Sequence, residues 1–326
     1  MHQAAMKAAA KTGRMNTMQT DLRSAGRRDR MKWLKTGWQL YVLILPAVIY
    51  VFLMNYLPLF GVQIAFKDYR PSKGILGSSW AGLKYFRQFI NYPNFGLIIT
   101  NTLRISLYTL LTFPCAVIFA LLLNEIRHTG VKKTIQMITY APHFLSTVVV
   151  CSMVLLFLRK DSGVINNLLS LLGRERQEFI NIASYFEDIY VWSGVWQNLG
   201  WNSIIYISAL SSVSPDLVEA ARIDGANRVD IIRHINIPCI APTIIIMLIL
   251  ACGNILSVGF EKTFLLQKSL NLSRSQIIST YTYEVGLKNA QYSYSAAIGL
   301  FNTVVNFVLL ILVNGVARRV SSISIW

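Results

Sequence analysis

The 326-residue chain is 54% hydrophobic and only 14% charged, a composition that excludes an ordinary soluble domain and points to lipid as the solvent. A net charge of +16 raises nucleic acid as a partner, but the basic segments carry no zinc-ligand spacing, reader motif or interleaved aromatics beyond Trp33 and Trp38, so no nucleic acid is expected. Cys115, Cys151, Cys239 and Cys252 form no CxxC pair and read as packing residues.

Intervals free of Asp, Glu, Lys and Arg run over 36–66, 105–124, 134–158, 189–215, 234–260 and 289–317, each at least 20 residues long. A helix needs about 20 residues to cross a hydrocarbon core of about 30 Å. The expected fold is therefore all-α integral membrane, with six transmembrane helices and both termini on one side. Nine basic residues precede the first span: Lys7, Lys11, Arg14, Arg23, Arg27, Arg28, Arg30, Lys32 and Lys35. That bias places both termini in the cytoplasm. Residues 1–38 become a basic cytoplasmic tail touching anionic headgroups, 39–317 the permeating domain, and 318–326 a short cytoplasmic tail. The long first apolar stretch lacks a small-residue cleavage site and is no cleavable signal.

Taken in order, the first span, near 39–60, holds Pro46 and Pro58, which would kink it or mark its exit. A turn-rich outer loop, "RPSKGILGSSW", follows; the second and third spans join through the basic turn "NEIRHTGVKKT". The third span ends at "RKDSG", the fourth is "IYVWSGVWQNLGWNSIIYISAL", the fifth ends near Phe260 and the sixth near Ala317.

The chemistry of an autonomous pump or enzyme is missing from this pattern. No GxxxxGK[ST], HExxH or GxSxG occurs, and the six intervals contain no carboxylate. No catalytic residue and no metal site is expected, and proton coupling through intramembrane carboxylates is disfavoured. Either a separate motor drives the chain, or it is an autonomous channel or facilitator for a small solute.

One segment, 214–238, "SPDLVEAARIDGANRVDIIRHINIP", interrupts the apolar pattern. Ser214 is placed to cap a helix beginning at Pro215, with Asp216 on the positive end of its dipole. Gly225 is expected to end that helix, Asn227 to cap a second with Asp230 three residues on, and Pro238 to bound it before the fifth span. Ala220 and Ala221 leave a thin face, ringed by Glu219, Arg222, Asp224, Arg228 and Arg233. Docking of a cytoplasmic partner fits these features, and so does an amphipathic connector resting at the membrane surface.

The stretch "EAARIDGANRVDIIRHINIP" resembles the EAA loop of permease subunits of binding-protein-dependent ABC importers. Glu219, Ala220, Ala221, Gly225, Ile235 and Pro238 match the family pattern with unbroken spacing, and Ile237 stands where Leu is usual. "SPDLVEAA", "IDGA", "LPAVIYVFLMNYLPLFGVQIAFKDY" and the "NTL" of the second span are similar to the carbohydrate-uptake subgroup, in particular to permeases for polysaccharide-derived oligosaccharides such as the alginate importer.

This resemblance implies a type I importer permease fold in a bacterial cytoplasmic membrane and a carbohydrate substrate. The implied partners are a second permease in a heterodimer, two cytoplasmic ATPase subunits and an extracytoplasmic solute-binding protein. ATP and Mg would be used by the ATPase, with no cofactor bound by this chain. Glu219, Ala220, Ala221, Arg222, Asp224 and Gly225 would form the coupling helix seated in an ATPase groove. Substrate contacts carried over from related sugar permeases fall on Gln197, Asn198 and Trp201 before the loop and Asn254 after it. Amides suit sugar hydroxyls and an indole covers the apolar face of a ring. Trp192, Trp196 and Trp201 also fit an interfacial belt or helix packing, and Asn254 a bond to a neighbouring helix. Arg104 fits snorkelling to the outer interface or contact with an acidic sugar. The outer loops hold 13 Lys and Arg against 8 Asp and Glu, a bias toward an anionic partner or substrate.

Overall fold

The computed structural model describes residues 37–321; the basic tail expected before residue 37 and the last five residues lie outside the described residues. Contacts divide the chain at Val62 and Gln63. In the first unit, α1 (Trp38–Val51) continues through a π turn (Phe52–Tyr56) into a 3-10 segment beginning at Leu57. No residue of α1 is buried, as expected for a helix apolar all round and facing lipid. Pro46 sits inside it without ending it. The π turn closes two residues before Pro58, where the wider winding absorbs the amide that proline lacks.

The second unit opens with a short antiparallel pair, β1 (Lys67–Asp68) and β2 (Ser79–Trp80), and α2 (Lys84–Ile90). Helices α3 (Phe95–Leu111) and α4 (Phe113–Asn124) form one rod jointed at Thr112, whose hydroxyl donates to the Thr109 carbonyl at 2.7 Å. The buried residues of α3, Ile98, Asn101, Thr102 and Ile105, follow the spacing of one helical face.

The third span departs from the straight helix expected over 134–158. Helix α5 (Thr129–Tyr140) stops at a 3-10 turn, Ala141–Phe144, and α6 (Thr147–Phe157) restarts, the two arms being bent by 103°. Pro142 disfavours further α winding, and the Ser146 hydroxyl accepts from the Val149 N–H at 3.4 Å to start the second arm. Helix α7 (Phe186–Leu210) is 25 residues long and turns by 76° into α8 (Pro215–Ile223). Next come α9 (Arg228–Ile231), a π turn (Ile232–Asn236), α10 (Ile237–Gly253), α11 (Phe260–Leu266), α12 (Ile278–Tyr283) and α13 (Tyr292–Ser321).

Among the described residues four helices are long and apolar enough to span a membrane: Trp38–Phe66, Phe95–Asn124, Arg228–Gly253 and Tyr292–Arg319. Six result if each bent pair counts as one span. The fifth span ends at Gly253, short of the expected Phe260, because residues 254–259 leave the helix. Its beginning also differs from expectation. Pro238 does not separate α9 from the span; the π turn again closes two residues before the proline, and the rod runs on from Arg228.

Three apolar clusters hold the second unit together. Phe89, Ile98, Tyr281, Tyr294 and Ile298 join α2, α3, α12 and α13. Ala116, Ala120, Tyr206, Leu210 and Ile240 join α4, α7 and α10. Ile105, Cys151, Phe186 and Leu266 join α3, α6, α7 and α11. Across the α5–α7 seam, Gly200 allows backbone contact: a Cβ there would overlap the Thr139 carbonyl and lie 2.7 Å from the Tyr140 ring. Gly200→Ala should therefore destabilise the fold by about 1–3 kcal/mol through overpacking, read as a lower thermal midpoint of the detergent-solubilised protein. An unchanged midpoint would contradict this close seam.

Candidate functional site

Two places concentrate polar groups within the apolar framework. The first is the loop formed by α8 and α9. Pro215 occupies the first turn of α8 and Asp216 lies beside it. The Ser214 side chain makes no capping hydrogen bond; its extended backbone and the preset φ of Pro215 start the helix instead. At the other end, Gly225 has φ +86°, the Ala226 N–H donates to the Ala221 carbonyl at 2.9 Å and the Gly225 N–H to that of Arg222 at 3.1 Å. That paired closure is a Schellman motif, which requires the left-handed residue glycine supplies. Asn227 then caps α9: its Oδ1 accepts from the Val229 and Asp230 amides, while Asp230 Oδ2 accepts from the Asn227 N–H at 3.1 Å.

Glu219, Ala220, Arg222, Asp224 and Gly225 are exposed on this loop, with Ala221 half-buried beneath them. Leu217, Val229 and Ile223, the last 86% exposed, stand among the charges. Large aliphatic side chains in such a polar setting mark a surface that another body covers. Beside it, a hollow of about 470 Å³ lies between the loop and the turn at Asn124–Arg127, lined by Val218, Arg222, Asn227 and Asn236.

The second place is a cavity of about 780 Å³ bounded by α3, α4, α7, α10 and the break that follows it. Gln197, Asn198, Trp201 and Asn254 all line it, together with Asn202, Ser257, Tyr190 and Lys262. All four are tied to the bend of the third span or to their own helix. Gln197 Nε2 donates to the Leu145 carbonyl at 3.3 Å, and Asn198 Oδ1 lies 2.9 Å from His143 Nδ1. His143 in turn stacks on Trp201, with ring centroids 4.3 Å apart and planes within 7°. Asn254 ends α10 and donates back to the Leu250 carbonyl at 3.1 Å.

His143 and Lys262 were absent from the expected site. Among the described residues Lys262 is the one formally charged residue lining the cavity, and its place just beyond the predicted end of the fifth span hid it. It lies outside the candidate spans, on α11, where burial holds its ammonium below the ordinary lysine range. His143 betrays itself only through its position after Pro142. Among the described residues no group of three or more His, Cys, Asp or Glu side chains converges on a point.

Arg104 is not among the cavity residues. It shares Glu187 with Arg274, the two guanidinium contacts being 3.2 and 3.1 Å, so its charge is engaged within the chain. Trp192 is likewise engaged, donating to the Tyr108 hydroxyl at 2.9 Å, which donates to Asp188 at 2.7 Å. These links fasten α3 to the start of α7.

Residues 93–322 match the family described as the binding-protein-dependent transport system inner membrane component. The polygalacturonan/rhamnogalacturonan transport system permease protein YteP of Bacillus subtilis is 42% identical over 281 residues, 86% of this chain and 88% of that protein. Protein LplB of the same organism is 41% identical over 89% of this chain and 91% of its own length. A chain in the crystal structure of a bacterial alginate ABC transporter, solved in complex with an alginate pentasaccharide-bound periplasmic protein, aligns with TM-score 0.83 and 38% identity, covering 90% of this chain and 99% of that one. With the family match spanning most of the sequence, and bent helices and EAA loop in the same fold, the chain belongs to the binding-protein-dependent transport system inner membrane components, as a permease subunit of the ABC type.

Proposed function

We propose that this chain is one of two permease subunits of an ATP-driven importer, and that it passes acidic, polysaccharide-derived oligosaccharides from an extracytoplasmic binding protein into a bacterial cytoplasm. The observation that carries this reading is the exposed α8–α9 loop, closed by a glycine at φ +86° and a reciprocal cap, which joins two of the helices that line the cavity, α7 and α10. The sugar class is supported by relatives named for polygalacturonan and alginate, both polymers of sugar acids.

In this reading the loop and both termini face the cytoplasm, and the chain crosses the membrane several times. Two ATPase subunits, which use ATP and Mg, clasp this loop and its counterpart on the second permease; this chain holds no cofactor. Glu219 and Arg222 anchor the joint by charge, Ala220 and Ala221 let the ATPase surface approach, and Asp224 and Gly225 form the bend. ATP binding biases a two-state membrane element because the ATPase dimer grips one arrangement of the paired loops better than the other.

Substrate moves through the cavity of α7 and α10. Gln197, Asn198 and Asn254 exchange their internal partners for sugar hydroxyls, and Trp201, stacked on His143, offers an aromatic surface to the C–H face of a ring.

Gly225→Val would place a β-branched residue in the left-handed region, a strain of about 1–3 kcal/mol, at an exposed position where folding tolerates it. The complex should assemble, yet transport should fall while ATP hydrolysis no longer responds to the loaded binding protein. Normal transport by an assembled variant would sink the coupling role. For the whole function, the complex purified through this chain should retain an ATPase whose activity rises with binding protein loaded with oligogalacturonate or oligoalginate. Solute uptake by this chain alone, in liposomes without ATP, would instead identify an autonomous facilitator.

A further inference from the structure

Among the described residues the cavity lining holds amides, hydroxyls and aromatics but no carboxylate, and one cation, Lys262. Among the described residues no carboxylate oxygen lies within ion-pair distance of its ammonium. Its position is nevertheless built. Nζ donates to the Tyr190 carbonyl at 2.6 Å and lies 4.7 Å from the centre of the Tyr190 ring. Gly194, one turn further along α7, leaves the space it occupies, since a Cβ there would come within 3.1 Å of Nζ.

One carbonyl satisfies one of three N–H donors. A half-buried cation with donors to spare and no counter-ion is costly, unless an anion completes it. The lining around it supplies none, and a cavity with a single sign of charge concentrates ions of the other.

We propose that Lys262 is a specificity-determining residue that reads the carboxylate of an anionic sugar as it passes through the cavity, with Tyr190 and Gly194 as the positioning groups that hold the ammonium toward the lumen. The proposal rests on the acidic-oligosaccharide reading of this same cavity. An incoming uronate carboxylate accepts from the free N–H groups while neighbouring hydroxyls meet Gln197 and Asn198. A neutral sugar of the same size leaves the cation unpaired, and discrimination follows from that unmet charge.

The test uses the full complex, with its second permease and ATPases, reconstituted in proteoliposomes and supplied with its binding protein. Uptake of oligogalacturonate and oligoalginate is measured for wild type, Lys262→Met, Lys262→Gln and Lys262→Arg, alongside ATP hydrolysis without binding protein as a gauge of intact assembly. Removing the charge should lower uptake by about tenfold or more, the loss of one charge-assisted hydrogen bond, with basal hydrolysis preserved. Lys262→Arg should retain most of it. Gly194→Ala, which keeps the charge but crowds it, should give an intermediate loss.

Unchanged uptake in Lys262→Met would overturn the proposal while leaving the acidic-substrate reading standing. So would equal loss in the Arg and Met variants, or a parallel loss of basal hydrolysis, because both describe a tie between α11 and α7 and nothing more. A wild-type complex that imports neutral oligosaccharides and refuses both uronate probes would sink the underlying reading itself, and the proposal with it.

Discussion

Where the fifth span stops, the Asn306 side chain accepts from the Leu256 N–H at 3.0 Å and donates to the Ser257 hydroxyl at 3.0 Å. That exchange expresses the constraint on which the rest of the molecule depends. In an inner-membrane protein a backbone amide released by a helix break has no water to turn to, and an unmet group costs several kcal/mol. Amide side chains meet this demand repeatedly. Asn101 donates to the carbonyls of Ser273 and Gln276. Asn271 donates to Ile180 and Leu266 and accepts from the Lys268 amide. Asn166, fully buried, donates to Leu158, Arg159 and Gln177 and accepts from the Gln177 amide.

The cavity takes part of its wall from one of these breaks. The irregular stretch after Gly253 opens the cavity at Asn254, Ser257 and Lys262, while the bend between α5 and α6, outside the lining, holds Gln197 through the Leu145 carbonyl and Asn198 through His143. Amides that line the cavity already meet backbone groups: Gln197 Nε2 donates to the Leu145 carbonyl and Asn198 Nδ2 to the Gly194 carbonyl. Exchange of one polar partner for another is nearly neutral in free energy, so such a lining suits passage better than tight retention.

The outline of this fold was legible in the uncharged intervals, because lipid forbids charge over a fixed thickness and the length of each gap therefore carries physical meaning. The loop was legible for a different reason: the left-handed Gly225 and the Asn227–Asp230 cap are local devices, set by residues four apart or less. Breaks were harder to place. Pro142 ends a helix whereas Pro46 and Pro238 sit within continuous ones. A proline removes one donor in every case; a π turn precedes Pro238 and none precedes Pro46, so the proline alone does not mark where a helix stops. The tie made by Arg104 was likewise hidden. Its partner, Glu187, lies 83 residues away, beyond any local pattern. Lys262 escaped because the uncharged interval closes at Glu261, and the next residue, which lines the cavity, fell outside it.

The connection between loop and cavity follows from which helices stay whole. Helix α7 runs unbroken from Phe186 to Leu210, carrying Gln197, Asn198 and Trp201, and meets α8 after four residues. From the other side of the loop, α9 passes through its π turn into α10 without interruption and ends at Asn254. The Schellman closure and the capping box fix the short path between α8 and α9. The loop is thus the stiff corner joining two rods, and the cavity residues sit along one rod and at the tip of the other. Packed helices move as bodies rather than deforming. A displacement of the corner would therefore be carried along both rods toward Asn198 and Asn254, past the bend of the third span and the α10–α11 break, where the backbone is already released from the helix.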